Sequence, residues 1–210
     1  MSWEYGQTIW NFLLADIGNE LGVAAMMGNL HAESGMIPNN LQNSYETSLG
    51  YTDESYTAAV DNGTYTESQF VNDAAGYGLA QWTYYSRKQR LYDLKQEKGV
   101  SIADLDLQLE YLLWELKNSY SGVYSVLKTA TSIREASDSV LFNFENPEVQ
   151  TEAVQELRAS YGLSVYETYT GSSAPDTPVT PDTPDTPSKP SSGKKQKYKF
   201  VLFKRKRRWY

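Results

Sequence analysis

A mainly helical domain with a small β-sheet beside it, an α+β arrangement, is what this sequence predicts, on three observations. Apolar residues recur at helical spacing over most of residues 1–170. One polar, tyrosine-rich stretch, Asn39 to Thr83, breaks that rhythm. Near Gly171 the composition turns to Pro, Thr, Ser, Asp and Gly and no longer supports a core.

Residues 3–17 place Trp3, Ile9, Trp10, Leu13, Leu14 and Ile17 on one broad stripe, and residues 19–32 repeat it with Leu21, Ala24, Ala25, Met26 and Leu30. Both read as core helices. Ser86 to Gly99 reads as a charged surface helix stopped by Gly99. The spacing of Ile102, Leu105, Leu109, Leu112, Leu113 and Leu116 predicts a helix over 102–117, expected to be the central buried one. Ser132-Ile-Arg-Glu135 has the form of a capping box and opens a helix ending near Asn146. Pro147 suits the first turn of a last helix, which Gly162 would close. Between these, residues 39–83 are read as loops with a two- or three-stranded sheet near Thr64–Phe70 and Gly76–Trp82.

Three segments follow: a folded domain over 1–170, a disordered spacer over 171–193 holding most of the chain's eight prolines, and a basic, aromatic tail over 194–210. Charge separates with them. Residues 1–170 hold 23 acids and nine bases, while the tail holds nine bases and no acid. The tail is read as an attachment to an anionic cell-wall polymer or membrane surface, because a strongly acidic domain is repelled by such a surface. Non-specific nucleic-acid binding and a merely solubilising end are the alternatives, and no specific nucleic-acid partner is expected. The amino-terminal stretch carries Glu4 and Asp16 and has no basic start, so it does not read as a secretory signal. A monomer made in the cytoplasm of the producing cell is therefore expected.

The chain has no cysteine and a single histidine, His31. Thiolate nucleophiles, disulfides and multi-histidine zinc sites are thereby excluded, and no metal or cofactor is expected. Ser34 lies in no nucleophile-elbow motif. Carboxylates remain in plenty, which directs attention to acid–base chemistry.

The informative stretch is GNLHAESGMIPNNLQ, residues 28–42. Glu33 falls on the last turn of the second helix, with Gly35 free to take the left-handed cap. A carboxylate there faces the free carbonyls of the helix end, a disfavoured place by about 0.3–1 kcal/mol. A general acid that must arrive protonated is one reason for it; an ordinary solvated helix end is the other. Gly76-Tyr-Gly-Leu-Ala-Gln-Trp-Thr83 offers two glycines for close backbone approach, the Gln81 amide, and the flat faces of Tyr77 and Trp82. Those parts suit a strand lining a sugar groove, and equally a core hairpin. His31 lies roughly 200° around the helix from Glu33 and is read as packed. Arg87 and Arg90 either meet acidic groups of a ligand or solvate a helix start.

These residues, GNLHAESGMIPNNLQ with AGYGLAQWTYYSRKQRL and later VLFNFENP, resemble the phage lysozyme family of tail-tip lysozymes and endolysins that act on Gram-positive hosts. The resemblance covers roughly Ile9 to Leu163. It implies a lysozyme-like fold with a cleft between helices and a small sheet, and hydrolysis of the peptidoglycan glycan with Glu33 as proton donor. Beside the Glu33 motif, Tyr77 and Gln81 are read as lining the sugar groove, with Trp82 open between groove and core; the resemblance further implies action at the bacterial wall, at lysis or from a virion. A second carboxylate, where one is used, would come from Glu46, Asp53, Glu54, Asp61 or Asp73, of which Asp73 is preferred. Lytic transglycosylase action and a non-catalytic wall-binding or tail-structural role are the competing expectations.

Overall fold

The computed structural model describes residues 3–175 and contains, among them, ten α-helices and one π-helical turn. The tail and most of the Pro/Thr-rich segment lie outside the described residues.

Helix α1 (Gly6–Ile17) buries Ile9, Trp10, Leu13 and Ile17 and ends on left-handed Gly18. Asn19 caps α2 (Glu20–Ser34), its carboxamide oxygen accepting the Gly22 N–H, while its amide donates to the distant Ala130 carbonyl at 3.0 Å. Every residue of α2 from Gly22 to Leu30 is buried. A helix apolar on all sides belongs at the centre of its domain. The central helix is thus α2 and not the 102–117 helix, whose counterpart α7 (Leu105–Asn118) starts later, behind an Asp104 cap, and leaves Glu110 and Trp114 in solvent.

Small residues let α2 be surrounded. Its closest partner is α10 (Glu152–Thr170), where a Cβ on Gly28 would fall 2.4 Å from the Gly162 nitrogen and one on Gly162 would fall 3.1 Å from the Ala24 carbonyl oxygen. Gly162 therefore does not close the last helix; it is a crossing point, and the helix continues to Thr170 before Gly171 caps it at φ 68°. Pro147 likewise precedes α10 instead of opening it, since the N-cap is Thr151. Helix α9 (Ile133–Val140) begins at Ser132, whose hydroxyl accepts the Glu135 N–H. It runs straight into a π-helical turn, Leu141–Glu145, that stops at Asn146 with φ 46°. Arg134 ties α9 to α10 by bonds to Glu152 at 2.8 Å and Gln155 at 2.7 Å. Helix α6 (Tyr85–Lys98) ends on Gly99, and α8 (Ser121–Lys128), which the apolar pattern did not reveal, completes the core with Val123 and Leu127.

The expected sheet is absent: no strand occurs among the described residues, and the two antiparallel bridges, Leu41 with Tyr77 and Tyr77 with Trp82, are isolated. Residues 39–83 instead hold α3 (Asn43–Leu49), α4 (Asp53–Asp61) and α5 (Glu67–Asn72). Reciprocal capping boxes, Thr52 with Ser55 and Thr66 with Gln69, start α4 and α5. Such helices are too short to show a period, and their stability comes from caps and from tertiary packing. The tyrosines that suggested strands pack on one another, Tyr56 standing 5.2 Å from Tyr65 and 5.5 Å from Tyr77 between ring centroids.

Gly28→Ala forces backbone against backbone, and Gly162→Ala drives a Cβ into the Ile133 side chain and the Ala24 carbonyl, so each should destabilise the domain by about 2 kcal/mol or more, read as a lower urea midpoint with an unchanged slope. Gly122→Ala, where a Cβ meets open space, is the control and should leave the midpoint in place or raise it.

Candidate active site

The last turn of α2 brings Glu33, Ser34 and Gly35 to one end of the central helix. Gly35 takes φ 67° and returns its N–H to the His31 carbonyl; Met36, buried behind it, is also left-handed at φ 63°. Two such residues in succession turn the chain sharply away from the helix, and the second costs backbone strain because it carries a side chain.

Glu33 is largely withdrawn from solvent, its side chain 13% exposed. Oε1 accepts a 2.5 Å bond from Nη2 of Arg158, a guanidinium buried against α2 from the α10 side. Nη1 of the same arginine donates to the Asn29 side chain at 3.1 Å, and Asn29 donates onward to Ala25 and to the Ser137 hydroxyl. Oε2 of Glu33 takes no hydrogen bond from another described residue. The carboxyl group is thus fixed by one oxygen and free at the other. His31 points elsewhere, edge-on to Tyr161 at 4.5 Å and to Trp3 at 5.7 Å, and burial lowers its imidazole below the usual histidine range.

Ser34 joins the helix end to the second motif: its hydroxyl reaches the Leu79 carbonyl at 2.8 Å. The Gly76–Trp82 segment forms a tight loop, Tyr77 and Trp82 exchanging backbone bonds at 3.2 and 2.9 Å. Gly78 sits there at φ 74°, with the Gln108 amide where its Cβ would be. Two amides clamp this loop to the chain that leaves α2. Gln108 accepts from Leu79 N–H and donates to the Pro38 and Ile102 carbonyls; Gln81 donates to Asn40 and to the Gly78 carbonyl.

The clamp corrects the sequence reading of this loop. Tyr77 and Trp82 are fully buried and Gln81 is 5% exposed. Tyr77 donates to or accepts from the Thr57 hydroxyl at 2.6 Å, and the Trp82 indole donates to Glu115 at 2.7 Å. None offers a face to a sugar; they hold up the loop behind Glu33.

Asp73 is likewise internal. Its Oδ1 accepts from the Lys88 ammonium at 2.5 Å and from Ala75 N–H, and Oδ2 accepts from the hydroxyls of Tyr56 and Tyr65. With a side chain 3% exposed and both oxygens engaged, it has no lone pair directed at a ligand. The structure does not bring Asp73 together with Glu33 through any shared partner. Burial pushes Lys88 down to about 8 although Asp73 pulls the other way. Burial first, then the charge of Asp73, raises the Tyr56 and Tyr65 hydroxyls, and burial raises Tyr77. Sequence reasoning missed Arg158, Asn29 and Gln108; each is a polar residue at a core position of a helix, a signal visible only once the helix faces are known.

Two outcomes follow from this network. Asp73→Ala leaves a buried ammonium without its partner and should cost about 3–5 kcal/mol of stability, whereas Asp73→Ala with Lys88→Met should recover most of it, measured by denaturant unfolding. Tyr56, Tyr65 and Tyr77 keep their protons in the native state at a pH where the unfolded chain loses them, near 10. Their contribution is complete below that pH and is lost above it. Lys88 acts in the opposite sense, since from about 8 upwards the unfolded chain holds a proton that native Lys88 has released. Stability should therefore fall from about pH 10 upwards, three groups outweighing one, with tyrosinate absorbance appearing together with unfolding.

A family model described as phage tail lysozyme matches residues 4–169, which is well over half of the chain.

Proposed function

As the chain belongs to the phage tail lysozyme family, we propose that its folded domain hydrolyses the glycan backbone of bacterial peptidoglycan, with Glu33 as general acid. What carries the reading is the 2.8 Å bond from Ser34 to Leu79, which makes one unit of the two motifs on which the resemblance rests, with Glu33 next to the join.

The chemistry asks for a proton delivered to the glycosidic oxygen as the bond to the sugar breaks. Arg158 holds the carboxyl group by Oε1, so the proton leaves from Oε2, the oxygen without a partner among the described residues. The negative charge that Glu33 gains in that step falls beside the guanidinium, in a site already shielded from water. Asp73 is too enclosed to attack the sugar or to activate water, and the reading therefore rests on a single acid. One acid also suffices for a lytic transglycosylase, which ends on an anhydro sugar in place of adding water.

The protein meets its substrate at the wall, reached at lysis or from a virion. The basic segment 194–210, outside the described residues, holds the acidic domain to an anionic wall polymer or membrane surface.

Glu33→Gln keeps the shape and the acceptor for Arg158 but has no proton of the required acidity. The amide leaves the buried Arg158 guanidinium without its negative partner, so the variant should fold with a lowered urea midpoint, and wall lysis should fall by about a hundredfold or more. Turnover retained in that variant removes Glu33 from the reaction. Mass spectrometry of the fragments released by the parent protein separates hydrolysis, with reducing ends, from anhydro products, and no fragments at all would favour a wall-binding scaffold.

A further inference from the structure

Away from the Ser34–Leu79 join, α6, α7 and the π-helical turn enclose an open groove of about 630 Å³ that the reading above leaves unused. Tyr84, Arg90, Tyr111, Trp114, Glu145 and Asn146 line it. Its rim is aromatic. Trp114 stands on the outer face of α7 with 47% of its surface exposed, and Tyr84 is 53% exposed. The indole is no stray surface residue: it stacks on Tyr111 at 6.3 Å and 23°, and Tyr111 lies 5.2 Å from buried Trp82, so a ladder of rings runs from the core to the groove. Its plane is thus set from behind and its outer face is left to solvent.

The floor is ionic and rigid. Arg87 bonds Glu115 through Nε at 2.6 Å and Nη2 at 2.7 Å, and its guanidinium lies 4.8 Å from the Phe144 ring centroid. Burial works against that charge, but the Glu115 bonds and the fields of Glu115, Tyr120 and Glu145 more than offset it and hold the guanidinium above its ordinary range. The third wall is the π-helical turn that carries Glu145, followed by Asn146 at φ 46°. A widened turn and a left-handed residue with a side chain both cost stability, and such distortions concentrate where a ligand is held.

We propose that this groove binds a length of glycan, with pyranose rings lying on Trp114 and Tyr84 and with Arg90 and Asn146 meeting hydroxyl, acetamido or carboxylate groups. The exposed Arg90–Glu97 pair, at 2.8 Å, exchanges readily for such a partner. Flat rings fixed from behind over a charged floor suit a ligand with apolar ring faces and polar edges, which is the chemistry of a sugar. The inference rests on the glycan-cleaving reading and extends it to a second sugar-binding place on the domain.

The test uses the Glu33→Gln protein, so that the probe is not consumed, and measures binding of a soluble N-acetylglucosamine oligomer by calorimetry. Trp114→Ala in that background should weaken binding about tenfold, Trp114→Phe should restore part of it, and the unfolding midpoint should fall only slightly, by the loss of the Tyr111 stack. Equal affinity in the alanine variant, or no measurable binding by the Glu33→Gln protein itself, overturns the proposal. So does a parent protein that sediments as a dimer and becomes monomeric with Trp114→Ala while sugar affinity stays the same, since the groove would then seat a second copy. An active Glu33→Gln protein would count against the acid and not against the groove, so the two failures are distinguishable.

Discussion

The approach of α10 to α2 at Gly28 and Gly162 is the contact on which the site depends. Without a Cβ on either side, the two backbones come close enough that Arg158, one turn before Gly162, reaches both Asn29 and Glu33. A larger residue at the crossing would push α10 outward and draw the guanidinium away from the carboxyl group. The same crossing buries the arginine, and a buried guanidinium must be matched by an acid and by hydrogen-bond acceptors. Packing and electrostatics are therefore one problem here, and Glu33 is part of its solution whatever else it does.

The second join works at the other side of the helix end. Ser34, Gln81 and Gln108 each satisfy carbonyls or N–H groups of chain segments that have no regular partner. With no sheet among the described residues, loops do not pair with one another along an edge, and buried amides take that role. This is why the Gly76–Trp82 stretch, so suggestive of a ligand surface, is turned inward: its side chains are occupied in keeping the loop against α2.

How far the residues disclosed this arrangement depends on what kind of signal each element carries. Long helices were legible, α1, α2 and α7 from the recurrence of apolar residues, α6 from its charge and the Gly99 stop, and the left-handed cap at Gly35 from one glycine after a helical run. Helices α3, α4 and α5 were not, because six to nine residues give too little period to read and their start signals are single hydroxyls such as Thr52 and Thr66. Gly162 was misread as a stop since a glycine in a helix and a glycine after one look alike until the neighbour across the interface is known. Glu33 stood out by its neighbours in sequence. Its partner Arg158, more than a hundred residues away, was invisible for the same reason that Gly162 was.

Lys88 adds something of a different kind. Its amine has no exposed surface and is held by Asp73 and the Ala75 carbonyl. A small amine-modifying reagent in the solvent can reach it only when α6 parts from the α4–α5 region. The rate of its modification therefore reports how often that side of the domain opens, wherever local opening is more frequent than global unfolding. One lysine thus serves as a built-in gauge of local breathing, readable by peptide mapping without a substitution.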